Sequence, residues 1–165
     1  MSKTLEGLKE AFSGESEANM RYLAYAKQAD KENQPQIARL FRAVAYAELI
    51  HAHNHLRVMN GIEATDANLK TAIELENYEV ATMYPEFMGY AEEEGDKKAL
   101  RTFTWAYEVE KGHEELLKQA LETMGASVGD LEIWVCPACG HTHVGVRPEK
   151  CPVCGMPGER FEKVD

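Results

Sequence analysis

The sequence has no run approaching the ~20 consecutive apolar residues that a membrane-spanning helix needs. Its first residues, MSKTLEGLKEAF, are amphipathic and contain no apolar leader. Neither a bilayer-crossing helix nor a secretory signal is expected, and the expected setting is the cytoplasm. Basic residues are scarce: 18 Lys and Arg stand against 28 Asp and Glu, a formal charge of −10. That balance argues against docking on nucleic acid or on an anionic membrane, because both need a basic patch. Bound cations could neutralise part of the negative charge. Cysteine is absent outside residues 136–154. In a cytosolic chain the four that occur are not expected to form structural disulfides.

What remains is dominated by helical periodicity. Residues 4–31 place Leu5, Leu8, Phe12, Glu15, Asn19, Tyr22 and Ala26 on one seam at alternating spacings of three and four. Pro35 opens a second helix, where proline is tolerated in the first turn. Its seam runs Ile37, Phe41, Val44, Glu48, His51, His55 and Val58, and Asn60-Gly61 ends it. A polar linker over 61–68 offers Thr65 and Asp66 as N-caps. A third helix is predicted over 69–94, kinked or loosened at Pro85. Gly95-Asp96 closes it and caps a fourth helix over 96–124. The segment ASVGD (126–130) links this helical part to a short tail punctuated by Gly and Pro.

The apolar seams carry acids where leucines belong. Each helix contributes one: Glu15, Glu48, Glu76 and Glu110, with Glu79 a turn beyond Glu76. Helices two and four add a histidine three residues on, His51 and His113, and an i, i+3 pair can reach one point. Glu15, Glu48 and His51 recur as Glu76, Glu110 and His113 at offsets of 61, 62 and 62 residues, which hints at a duplicated hairpin. A single buried ionised carboxylate costs several kcal/mol. Five facing one another would consume a folding margin of ~5–15 kcal/mol. A pair of metal ions would neutralise them, and oxygen and imidazole donors suit iron or manganese. One glutamate from each of two helices plus Glu-x-x-His from each of the other two is the ligand pattern of carboxylate-bridged di-iron and di-manganese bundles. Glu17, two residues from Glu15, and His53 are expected at the surface. His55 is read as a core or supporting histidine.

The tail reads CPACG (136–140) and CPVCG (151–155), two Cys-x-x-Cys knuckles 11 residues apart. This spacing marks one tetrahedral tetrathiolate site formed by Cys136, Cys139, Cys151 and Cys154. Gly140 and Gly155 permit the positive φ of each knuckle turn, after which backbone amides can point at the sulfurs. Trp134 and Phe161 are the candidate core. Four thiolates accept zinc or iron alike.

The stretches FSGESEANMRY, AYAELIHAHNH, IELENYEVATMYPEF and YEVEKGH, followed by the two knuckles, resemble the rubrerythrin family over essentially the whole chain. The resemblance implies a mainly α fold: a ferritin-like four-helix bundle over residues 1–129, then a small β-rich rubredoxin-like module over 130–165. It implies that Glu15, Glu48, His51, Glu76, Glu79, Glu110 and His113 hold two irons and that the cysteines hold a third, with zinc as the alternative there. His51 and Glu79 would be the pair that exchange as ligands on one iron. Tyr22 and Tyr84 match tyrosines near the site. His141 stands where the family's knuckle commonly has an aromatic residue. The implied activity is reduction of hydrogen peroxide to water, with electrons relayed through the cysteine site from a rubredoxin or an NAD(P)H-dependent reductase. The competing expectations are a di-iron oxidase or ferroxidase with a structural zinc ribbon, and a metal-storage or interaction protein.

A ferritin-like bundle needs one long crossover connection. The 61–68 linker spans roughly 26–29 Å at full extension, whereas a helix of about 25 residues is roughly 38 Å long. The expectation is therefore a homodimer with exchanged helix hairpins. The electron path likewise favours a dimer in which one chain's cysteine module approaches its mate's di-iron site.

Overall fold

The computed structural model describes residues 2–126 and 128–164. The chain divides into two compact units, residues 1–63 and 64–165. The first is a helical hairpin of α1 (Lys3–Lys31) and α2 (Pro35–Val58). The Ser2 hydroxyl caps α1 by accepting the Leu5 N–H at 3.2 Å. Asn33, at φ 55°, turns the chain, and Pro35 starts α2.

Ala26 and Ala29 of α1 and Ala38, Ala45 and Ala52 of α2 are buried. Alanines repeating every seven residues on α2 leave no bulk between the backbones, and Asn19 Nδ2 donates to Ala45 O at 2.7 Å. The expected stripe is at least partly buried from Leu5 to Ala26 on α1 and at Phe41, Val44, Glu48 and His55 on α2, but on α2 it is open at Ile37, His51 and Val58, with Ile37 46% and Val58 66% exposed. Two helices meet along one narrow contact, and here the smallest side chains take it. Among the described residues the largest fully buried side chain is that of Cys136, so the large apolar side chains of the helices all keep some exposure.

The second unit holds α3 (Thr65–Tyr78), a π-helical turn (Glu79–Met83), α4 (Tyr84–Glu94) and α5 (Lys97–Thr123), with α3 and α4 both packed on α5. One expectation is corrected. Helix three starts at Thr65, with Ala64 rather than Thr65 or Asp66 at the cap position, so the connection shrinks to 59–64. Asn60, at φ 57°, makes the turn after α2, and the Gly61 N–H donates to Leu56 O. The loosened turn expected at Pro85 is present, as the π turn just ahead of it. Pro85 has no N–H to give residue 81, and the turn ahead of it widens so that the Tyr84 N–H donates to Glu79 O.

Gly95, at φ 72°, ends α4, and the Asp96 carboxylate caps α5 by accepting the Lys98 and Ala99 N–H groups at 2.9 and 3.0 Å. Ser127, in the 126–130 linker, lies outside the described residues. Beyond it, β1 (Ile133–Val135), β2 (Thr142–Val144) and β3 (Glu162–Val164) form an antiparallel sheet in the order β2-β1-β3. Ile133 lies opposite both Val144 and Val164. Cys136, Cys151 and Phe161 form its core, with Trp134 packed against them. No helix described is long and apolar enough to cross a membrane. The fold class is mainly α with a small β module, as expected.

Candidate metal centres

In the first unit, one turn separates Glu15 from Asn19 on α1, and nearly one turn separates Ala45 from Glu48 on α2. The Asn19–Ala45 hydrogen bond therefore sets the register that brings the two glutamates face to face. Donor atoms of Glu15, Glu48 and His51 all lie within 4.8 Å of one another. His51 Nδ1 is 2.9 Å from Glu48 Oε2 and 4.0 Å from Glu15 Oε1. The Glu48 side chain is 17% exposed and that of His51 54%. Glu17 faces solvent, paired with Arg21, and His53 is exposed, both as expected. His55 is partly buried. Tyr22 stacks on Phe41 at 6.2 Å and lines an apolar cavity with Ile37, Leu40 and Val44.

The second unit repeats the arrangement. Donor atoms of Glu76 on α3 and of Glu110 and His113 on α5 lie within 4.8 Å of one another. His113 Nδ1 is 2.6 Å from Glu110 Oε2. Beside them, Asn77 Nδ2 donates to Glu114 Oε1 at 3.0 Å, tying α3 to α5. Burial, then hydrogen bonding to Glu110 and its charge, pushes the Glu76 carboxyl up to about 7. Glu79 is raised by burial and by Glu110. The Tyr84 hydroxyl is raised by burial, then by Glu79, Glu110 and Glu76, which places it beside the acids. Carboxylates crowded in this way resist ionising together unless a cation joins them. Glu79 opens the π turn, a feature the periodicity did not reveal. Pro85, six residues on, was the available signal.

The four cysteine sulfurs also lie within 4.8 Å of one another. Cys136 Sγ is 3.6 Å from Cys154 Sγ, and Cys139 Sγ is 3.6 Å from Cys151 Sγ. A tetrahedron with metal–sulfur bonds of ~2.3 Å has edges of about 3.8 Å, so the cluster fits one ion. Gly140 and Gly155 take φ of 84° and 78°. Their own amides donate to Cys136 O and Cys151 O. The sulfurs are met instead by the amides of His141, Val153, Cys154 and Met156. Burial and the three neighbouring sulfurs push the Cys139 thiol up, which a bound cation would reverse. His141 packs edge-on against Phe161 at 6.4 Å, so its ring does an aromatic's packing.

Two carboxylate–histidine sets on helices and one tetrathiolate cluster define a metalloprotein with two chemically distinct kinds of centre. The Rubrerythrin family model matches residues 6–121, and that of the rubrerythrin rubredoxin-like domain matches residues 134–162; the chain belongs to the rubrerythrin family. It is 36% identical to Rubrerythrin-2 of Clostridium acetobutylicum, over 96% of this chain and 95% of that one. It is 38% identical to nigerythrin of Nitratidesulfovibrio vulgaris, over 98% and 86%. The solved structure of fully reduced, all-ferrous nigerythrin matches with a TM-score of 0.59 at 38% identity, over 99% of this chain and 88% of that one. The fold is thus the ferritin-like rubrerythrin fold with a rubredoxin-like module, and the donor sets are those of rubrerythrin iron centres.

Proposed function

We propose that the chain is a peroxide-reducing oxidoreductase. The observation that carries this reading is the presence, in one chain of this family, of two matching carboxylate–histidine sets and a separate tetrathiolate site. Residues 1–129 form the reacting bundle, and residues 130–165 form the module that takes electrons from a rubredoxin or an NAD(P)H-dependent reductase. Iron bound by Glu15, Glu48, His51, Glu76, Glu79, Glu110 and His113 would supply the Lewis acidity and the two electrons that cleave the O–O bond of hydrogen peroxide. The chain's own tasks are to hold those donors and to deliver protons. Tyr84, beside the acids, is the better placed tyrosine for proton delivery, while Tyr22 sits among apolar side chains.

Both sets serve one centre when a hairpin of one chain meets the second unit of another. Residues 59–64 reach about 23–25 Å from the end of α2 to the start of α3 when fully extended, and the turn at Asn60 shortens that reach. The 24 residues of α2 run about 36 Å. Leu40, Tyr46, Leu49 and Ile50 are exposed on the hairpin and available to a second copy.

The test is anaerobic stopped-flow mixing of the iron-loaded, reduced protein with hydrogen peroxide and a reduced rubredoxin-type donor. Rapid peroxide consumption at two electrons per peroxide is expected. Slow peroxide turnover alongside fast oxygen uptake with ferrous iron would overturn the reading in favour of an oxidase. A single-chain particle by sedimentation with full metal content would overturn the exchange.

A further inference from the structure

A side chain of the cysteine module touches the metal set of its own unit. Thr142, on β2, lies with its Oγ1 2.9 Å from His113 Nε2, and the same hydroxyl donates to Gly140 O at 3.2 Å. Gly140 follows Cys139 directly and approaches Val109, one of the buried residues of α5. Ile133, Thr142 and Val144 of the module share a cavity with Glu76, His113, Leu116 and Leu117.

A threonine hydroxyl has one hydrogen and two lone pairs. With that hydrogen directed at Gly140 O, Oγ1 can only accept from His113. Nε2 must then carry a hydrogen, whether the ring is neutral or charged. In the neutral ring the proton then sits on Nε2, and the Nδ1 lone pair lies 2.6 Å from Glu110 Oε2, a contact that a proton or a metal ion between the two atoms must bridge. That is the tautomer a metal requires at Nδ1. Without the hydroxyl, a neutral ring gains most by placing its proton on Nδ1 and donating it to Glu110 Oε2, 2.6 Å away. A metal would then have to displace that proton. His51 has no partner at Nε2 among the described residues.

We infer that Thr142 is a positioning residue that fixes the tautomer and orientation of His113, so that folding of the cysteine module around its own metal raises metal affinity at the helical site. The inference rests on the reading of Glu76, Glu110 and His113 as metal ligands. The coupling is reciprocal, as any linkage between two binding sites must be. It implies an order of assembly, with the thiolate site filled first, because a tetrathiolate module takes much of its folding energy from its ion.

The test uses the full chain with one zinc at the cysteine site and cobalt(II) as the helical-site probe. Long-range ¹H–¹⁵N imidazole spectra at pH 8, before cobalt is added, should show His113 protonated at Nε2. In Thr142→Val the proton should move to Nδ1, while the spectrum of His51 is unchanged. Cobalt affinity should fall about 10–100-fold in Thr142→Val, the size of effect typical of lost outer-shell partners. Thr142→Ser should restore both readouts. Should valine release the zinc, Thr142→Ala takes its place. An unchanged His113 tautomer with unchanged affinity in the substituted protein overturns the inference. A wild-type chain that takes up no cobalt overturns the ligand reading instead, and the tautomer comparison still decides the role of Thr142.

Discussion

Two carboxylate–histidine sets of the same composition stand in different surroundings. Glu15, Glu48 and His51 lie on a bare hairpin, with His51 54% exposed and unheld at Nε2 among the described residues. Glu76, Glu110 and His113 are crowded by Glu79, by Tyr84 and by the cysteine module, and His113 is 27% exposed. The repeated donor pattern gives the two sets the same chemistry, while the neighbours decide how firmly each histidine is held. The resemblance drawn from the motifs implies that His51 is the ligand that exchanges with Glu79, and on that proposal the more exposed histidine is the one that exchanges.

The comparison breaks most completely if a carboxylate goes. Glu48→Ala and Glu110→Ala should each lower ferrous affinity by more than about 100-fold, beyond the 10–100-fold typical of outer-shell partners, as read by anaerobic titration with helicity monitored in parallel. A loss confined to one of the two would show that the halves do not serve a common centre. The histidines should differ next. His113→Gln is expected to lower affinity by about tenfold or more, and His51→Gln by less, because Glu79 stands ready as a substitute. Combining His51→Gln with Glu79→Gln should then cost more than the two singles together, and strict additivity would sink the exchange assignment.

Pro85→Ala is a finer probe. The proline sits in the first turn of α4, where it is tolerated, so stability should change by less than about 1 kcal/mol. Amide exchange at residues 79–83 should nevertheless change as an α register becomes available. Smallest of all, Glu17→Gln removes an ion pair whose side chains are both 60% exposed. Melting temperature and metal affinity should stay at wild-type values within error, since such pairs contribute little.

The helix spans and the knuckles were legible because both are written in side-chain identity. Pro35, Gly95-Asp96 and the Cys-x-x-Cys pairs act locally, and the structure places each where the pattern puts it. Of the π turn, the loosening at Pro85 was legible; its hydrogen-bond register, Tyr84 N–H to Glu79 O, was not, because the apolar spacing does not specify it. Part of the α2 seam was misread, because burial does not follow hydrophobicity alone. Hydrophobicity ranks Ile37 and Val58 above Ala38 and Ala45, whereas close approach of two backbones favours the small residues. The hydrogen bond between His113 and Thr142 joins residues 29 apart through a tertiary contact, and no motif announces it.

The widened turn at Glu79–Met83 has a consequence for sequence length. A π turn accommodates one residue more than an α turn, so the flanking helices keep their phase as though that residue were absent. This makes the segment a reading-frame tolerance within a rod. Deletion of Ala81 together with Pro85→Ala would leave α3 and α4 facing α5 as before and would withdraw only the extra acid's placement. A one-residue deletion, ordinarily ruinous in a helix, would here act as a local edit, and Glu79 is the position through which one half of the protein could diverge from the other.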